Sequence, residues 1–421
     1  MRRGATAVLG LAVGRLAHGG AGPATAATAS PAPSPSSTYD VRYDARIVPT
    51  ERVARVTIDV GRNPGLLDWL RMRIDPQRHF RFEGDGDIEV EDDVVTWRPP
   101  EGDAQLRYSV RLDHLHDSVG YDARCTDKWA LFRGEDLVPP VTSDAEPGAR
   151  SVATLRLRVP VGWEIATRFP KLDDGTYSVD QAHRRFDRPT GWILAGKLDV
   201  TREQIAGADV SIAAPAGQGV RRLDILALLR WTLPTLARIV GRLPSRVLVV
   251  GANDPMWRGG LSGPRSLFIH AALPLISSDG TSTLLHELVH VATNARSTGD
   301  GDWVVEGLAE YYALQLLLRS GTIGEERYRQ ALDRLEKRGS KAPRLRTEHA
   351  SGEVTARAVG VLARLDEQIR TQSSGQRSLD DVLRALAGER VEVSTESFRA
   401  LVAQVTGVEP NKLLALNVPK G

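Results

Sequence analysis

The sequence predicts a multidomain protein with three parts in series: an antiparallel β domain over 39–215, an α+β domain over 216–320 and an α-helical domain over 321–421. Three observations carry this. Apolar and polar residues alternate with period two up to about residue 215. Beyond Gly217 the apolar spacing turns helical, broken by two buried-type strands. From 321 onward the helical period returns in every clear segment. With 421 residues, 41% of them hydrophobic, the chain can build several cores.

Taken in order, the N-terminus has the pattern of an export signal over 1–29. Arg2 and Arg3 precede an apolar run over 5–13, and small-residue cleavage options follow at Ala24-Thr25-Ala26 and Ala27-Thr28-Ala29. The run is too short to span a bilayer. No cysteine follows it, so no lipid anchor is expected. Residues 30–38 are a Pro/Ser-rich linker.

In the β domain the alternation is clear over 39–43, 53–60, 105–112 and 153–159, with Gly/Pro turns such as 98–102 between strands. Residues 66–74 are expected to form a short helical insertion. Residues 220–243 carry apolar residues at helical spacing, with Pro234 inside. Strands are expected at 246–251 and 266–270, the second preceded by a glycine-rich turn at 259–264. Gly280, Thr281 and Ser282 supply a turn and an N-cap for a helix running to about Asn294. A polar loop leads to Asp302, expected to cap the next helix. That helix ends near Ser320, with Gly321 at the position after its end. Further helices are expected at 325–338, 353–372 and 379–386, and near 397–405.

The 55 basic and 53 acidic residues leave a formal balance of +2, which argues against a nucleic-acid partner held by bulk charge. The single cysteine, Cys125, excludes an intramolecular disulfide and is expected to be a buried apolar residue. No later apolar stretch has the length of a membrane span, and nothing in the sequence specifies an oligomeric state.

The chemistry lies in 281–312. His286-Glu287-Leu288-Val289-His290 is an H-E-x-x-H pattern. On a helix its two imidazoles share a face and can meet one metal ion, with zinc the best suited. The pattern is short, but its setting is informative: Leu284, Leu285, Val289 and Val291 make this an otherwise buried helix, where polar groups need partners. Glu306 lies early in the next helix, in an apolar run, separated from His290 by fifteen residues, and is the candidate third ligand. Glu310, one turn further, is the candidate to accept a hydrogen bond from a ligating histidine. Glu287 can reach a water at the metal rather than the metal itself, and is the candidate general acid/base.

With Trp303-x-x-Glu306-Gly307-x-Ala309-x-Tyr311, this segment is similar to the gluzincin metallopeptidases and, within them, resembles the glycyl aminopeptidase family. Three further stretches resemble that family: Trp129 to Gly134 with Leu137-Val138-Pro139-Pro140, Gly259-Gly260-Leu261 before a strand, and Leu365-Asp366-x-x-Ile369-Arg370 with the segment from Gly375 to Leu383. The resemblance implies a thermolysin-like zinc peptidase domain between the β and helical domains, one zinc ion and peptide or protein substrates. It implies substrate contacts at Gly259 and Gly260. The family's amine-holding Glu is replaced by Ser262, and its oxyanion-stabilising Tyr by Thr355. His349, Tyr311 and Tyr312 are the candidates to serve instead. The connection from His290 to Glu306 is shorter than usual, and the PDZ domain that many relatives append is not expected. With these exchanges the resemblance implies no preference between exo- and endopeptidase action. Two readings follow: an exported zinc metallopeptidase, or an envelope protein that binds peptides or proteins on a catalytically weak peptidase scaffold.

Overall fold

The computed structural model describes residues 37–179, 186–347, 349–350, 352–388 and 390–410. The expected export signal and all of the expected linker but its last two residues lie outside them.

The N-terminal region is built from three sheets. A six-stranded sheet has the order Tyr177–Ser178, Arg150–Arg158, Thr38–Val48, Val53–Gly61, Ala104–Arg111, His79–Gly84. Along Thr38–Val48 the burial alternates, with Tyr39, Val41, Tyr43 and Ala45 inside and Arg42 and Arg46 exposed. That is the period-two signal of a sheet with one solvated face. The sheet is mixed rather than purely antiparallel, because Thr38–Val48 pairs in parallel with Arg150–Arg158. A four-stranded sheet packs against it, in the order Val141–Ala145, Leu67–Arg73, Val94–Arg98, Asp87–Glu91.

The helix expected over 66–74 is therefore corrected to strand Leu67–Arg73, after a single 3-10 turn at Pro64–Leu66. Leu67, Leu70 and Met72 are buried between two neighbouring strands. The spacing from Leu67 to Leu70 resembles a helix repeat, but pairing on both sides overrides it. A five-stranded sheet, which includes Trp129–Arg133 and Trp192–Gly196, completes the region. Cys125 lies buried in it, and burial pushes its thiol up to about 12. Helix α1 (Gly134–Leu137) follows Trp129–Arg133.

The sheet that supports the site has the order Leu198–Ile205, Ala208–Pro215, Arg246–Ala252, Ser266–His270, Gly260–Gly263. The boundary expected at 215/216 falls inside this sheet, since Ala208–Pro215 pairs in parallel with Arg246–Ala252. Parallel neighbours need a crossover, and α2 (Arg222–Val240) provides it. Pro234 lies within α2. Leu226, Leu229, Leu233 and Leu236 are buried, whereas Leu223, which shares their spacing, is 70% exposed. The glycine-rich stretch expected as a turn is an edge strand, Gly260–Gly263, antiparallel to Ser266–His270. The reversal falls at Pro264–Arg265, with Arg265 at φ 52.

Helix α3 (Thr283–Thr293) starts where its cap predicts: Ser282 Oγ accepts the Leu285 N–H. It ends at Asn294 in the left-handed region. Helix α4 spans Asp302–Arg319, but Asp302 does not cap it. Gly301 takes the cap position against the Val393 carbonyl, where a Cβ would sit 1.9 Å from the oxygen. Asp302 is the first helical residue, and its Oδ2 accepts the Ala350 N–H at 2.7 Å. Helices α5 (Glu325–Gly339), α6 (Glu353–Gln372), α7 (Leu379–Leu386) and α8 (Thr395–Thr406) follow at the expected positions. One apolar cluster runs from Ile205 to Val408, so the site sheet, α3, α4 and the later helices share a core. At its centre α4 and α6 cross closely, with Gly307 against Ala358 and Leu362. Among the described residues no helix is long and apolar enough to cross a membrane.

Candidate metal centre and active-site cleft

Helix α3 buries Leu284, Leu285, Leu288, Val289, Val291 and Ala292 in the core. That fixes its rotation, and His286, Glu287 and His290 fall on the face left over. Helix α4 packs on α3 and brings two carboxylates one turn apart. Glu306 Oε2 is 3.2 Å from His286 Nε2, and Glu306 Oε1 is 3.4 Å from His290 Nε2. The two Nε2 atoms are 3.1 Å apart. His286, His290 and Glu306 form the group of metal-capable side chains found among the described residues, with ligand atoms within 4.8 Å of one another.

The donor set fits a zinc ion. Two ligands at about 2.0–2.1 Å from a tetrahedral centre lie roughly 3.3 Å from each other, and the three observed separations scatter around that spacing. On the far side of His286, Nδ1 donates to Glu310 Oε2 at 2.9 Å. This bond selects the tautomer that leaves the Nε2 lone pair facing the cluster.

Electrostatics agree with the geometry. Burial opposes a charge on His286, but Glu306 and Glu310 outweigh it and hold its pKa well above the usual imidazole value. Burial would raise Glu306, yet its bonds to both imidazoles hold its carboxyl far below the usual range. A cluster that so strongly favours positive charge beside these carboxylates is suited to a cation.

Glu287 is buried to 7% exposure and faces the edge strand. A Cβ at Gly260 would lie 2.7 Å from Glu287 Cγ and from Thr283 Cγ2, so only glycine lets the strand approach this closely. At Gly259 a Cβ would lie 2.0 Å from the Trp257 ring, which covers the strand's start.

These groups line one cleft of about 1040 Å³. Gly259, Gly260, Ser262 and His349 are in its wall, with His286, Glu287, His290, Glu306 and Glu310. Tyr311 and Tyr312 are not, which corrects their candidacy as substrate or oxyanion contacts. They lie on α4 beyond Glu310, turned into the core. The Tyr311 hydroxyl donates to Asp366 and the Tyr312 hydroxyl to Asp380, both at 3.0 Å.

Among the cleft residues that sequence reasoning missed are His116, Trp257, Arg296 and Arg338. His116 comes from the N-terminal region and packs on Trp257, with ring centroids 4.2 Å apart. Only Trp257, two residues before Gly259, had a local signal. The others reach the cleft through tertiary contacts between distant segments.

Comparison with known proteins adds to this picture. Residues 282–375 match the family described as M61 glycyl aminopeptidase. A search of curated proteins gives no match. Among solved structures, an aminopeptidase N family protein from Idiomarina loihiensis has a TM-score of 0.65 at 16% identity, over 82% of this chain and 69% of that one. Aminopeptidase A from Legionella pneumophila, in complex with aspartic acid, has a TM-score of 0.57 at 14% identity, over 90% of this chain. The chain spans about half of that protein's length, 48%. At these identities the likeness is one of fold, a large β-rich region followed by a helical part. The segment that carries the two histidines and both glutamates of α4 thus matches the glycyl aminopeptidase family of peptidases, as the sequence resemblance implies.

Proposed function

We propose that the chain is a zinc-dependent metallopeptidase of the gluzincin type, with a thermolysin-like catalytic unit. The convergence of His286 Nε2, His290 Nε2 and the Glu306 carboxylate carries this reading. These three side chains would hold the ion, and Glu310 keeps His286 in the ligating tautomer. When bound, zinc supplies Lewis acidity, polarising a peptide carbonyl and lowering the pKa of a water to near 7.

The other roles belong to the protein. Glu287 takes the proton of the attacking water and returns it to the leaving amine, a function worth about 10²–10⁴ in rate. The open side of Gly260–Gly263 receives an extended peptide as an added strand. His349 is the side chain from the sequence-derived oxyanion candidates that lines the cleft. Export is part of the proposal and rests on the pattern of residues 1–29. N-terminal sequencing of the mature protein from envelope fractions tests it.

The second reading, a binding protein of the cell envelope on a weak peptidase scaffold, is favoured by the engagement of Tyr311 and Tyr312 in the core. One experiment separates the two. Zinc-loaded protein should cleave members of a broad peptide library, and Glu287→Ala should abolish cleavage. A loaded protein that leaves the whole library intact, while its biological role survives Glu287→Ala, would decide for the binding protein.

A further inference from the structure

The cleft is unevenly charged. Its carboxylates are Glu287, Glu306, Glu310 and Asp302. The first three gather at the imidazoles, and Asp302 is engaged by the Ala350 N–H. Away from that point the walls carry Arg258, Arg296 and Arg338. Asp254 neutralises Arg258 through bonds of 3.0 and 2.6 Å. Among the described residues, no ion pair engages Arg296 or Arg338.

Arg296 stands where three distant segments meet. Its backbone N–H bonds to the Val391 carbonyl, and its charged neighbours are Arg390 beside that residue and Arg133 and Glu135 of the N-terminal region. Arg133 is already paired with Asp122, and Glu135 already accepts the Gly191 N–H. Arg296 is exposed to the cleft, and partial desolvation first, and then Arg390, disfavour its charge. A guanidinium in these surroundings gains from an anion that a ligand brings.

Arg338 lies in the last turn of α5, and its Nη2 lies across Gly352. A Cβ there would be only 2.5 Å from that nitrogen. Gly352 therefore leaves room for the guanidinium at the cleft wall. Two separate segments thus bring to one peptide-sized cleft arginines that have no ion partner among the described residues.

Resting on the peptidase reading above, we infer that the cleft selects peptides carrying a carboxylate close to the cleaved bond, with Arg296 as the residue that holds it and Arg338 as a second cationic contact. The carboxylate is either an acidic side chain or the peptide's free C-terminus, and the test separates these sources.

Two pairs of hexapeptides serve as probes. One pair differs only as Asp against Asn beside the bond. The other differs only as free against amidated C-terminus. kcat/KM is measured on the zinc-loaded protein. Equilibrium binding is measured by calorimetry on zinc-loaded Glu287→Gln, which requires no turnover. The carboxylate-bearing member of at least one pair should be favoured about ten-fold in both measurements, and the responding pair names the source. Arg296→Gln should bring that ratio close to one, while Arg296→Lys keeps part of it, and added salt should erode it.

Ratios near one for both pairs in the native protein, or a ratio unchanged by Arg296→Gln, would overturn the inference. Equal cleavage within both pairs would do so while leaving the peptidase reading intact. Selective binding with no cleavage of any probe would do the reverse.

Discussion

Helix α4 presents two polar networks, one on each side, and they differ in kind. Toward the cleft, Glu306 and Glu310 meet two imidazoles. Toward the core, Tyr311 and Tyr312 meet Asp366 and Asp380. The core network is complete within the protein. Asp366 accepts from the Tyr311 hydroxyl, the Leu379 N–H at 2.7 Å and Arg370 Nε at 3.0 Å. Asp380 accepts from the Tyr312 hydroxyl and from Arg319 at 2.7 Å. Every acceptor has a fixed donor, so this network ties α4 to α6 and α7 and gives the family-like stretch from Leu365 to Arg370 a structural role. The cleft network turns three ligand-capable groups onto one point without a donor dedicated to each, and on the proposed reading a cation completes it. Buried polar groups closed among themselves hold a fold together, while those left open toward a shared centre mark chemistry.

The largest expected effect separates the networks by function. Glu287→Gln should lower kcat by about 10²–10⁴-fold with zinc content unchanged, measured on one sample by kinetics and metal analysis. Next comes stability. Asp366→Ala leaves the Tyr311 hydroxyl and the Leu379 N–H without an acceptor, and should cost about 2–4 kcal/mol in denaturant unfolding, with or without zinc. Glu306→Ala removes a partner of both imidazoles and should cost the metal-stripped protein less than Asp366→Ala does, yet remove the stabilisation that zinc gives the native chain. If Glu306→Ala costs as much as Asp366→Ala in the stripped state, the contrast collapses.

Much of this contrast was legible in the sequence, and some was not. The spacing of His286 and His290 and the capping residue Ser282 set α3, and apolar neighbours set its orientation. Local signals of this kind also fixed the segments observed as Glu353–Gln372 and Leu379–Leu386. The meeting of Glu306 and Glu310 with the histidines followed from two such helices packing together. Tyr311 and Tyr312 were misread because they sit next to Glu310 in sequence while pointing more than a quarter of a turn away from it. Strand Leu67–Arg73 was misread because its partners, Val94–Arg98 and Val141–Ala145, lie far along the chain. Arg296 was missed for the same reason, since its neighbours come from both ends of the described fold.

Smaller effects sharpen the account. Glu310→Gln should weaken zinc binding about 10–100-fold, read by competition with a chelator, because it disturbs only the orientation of His286. In metal-stripped protein, the raised pKa of His286 makes a contribution to stability. It is fully present below the unfolded value of about 6.5 and is lost as pH rises through the raised folded value. The stripped protein's Tm should therefore fall on the alkaline side, and zinc should flatten that slope. Tyr312→Phe should cost only about 1 kcal/mol, since Arg319 still pairs with Asp380.

The most direct test of the central claim is a titration of metal-stripped protein with zinc, followed by peptide hydrolysis. Activity should rise linearly and break at one ion per chain, with His290→Ala showing no rise over the same range. Hydrolysis at full rate in the stripped protein, or a flat response while one ion binds, would contradict a metal centre at His286, His290 and Glu306.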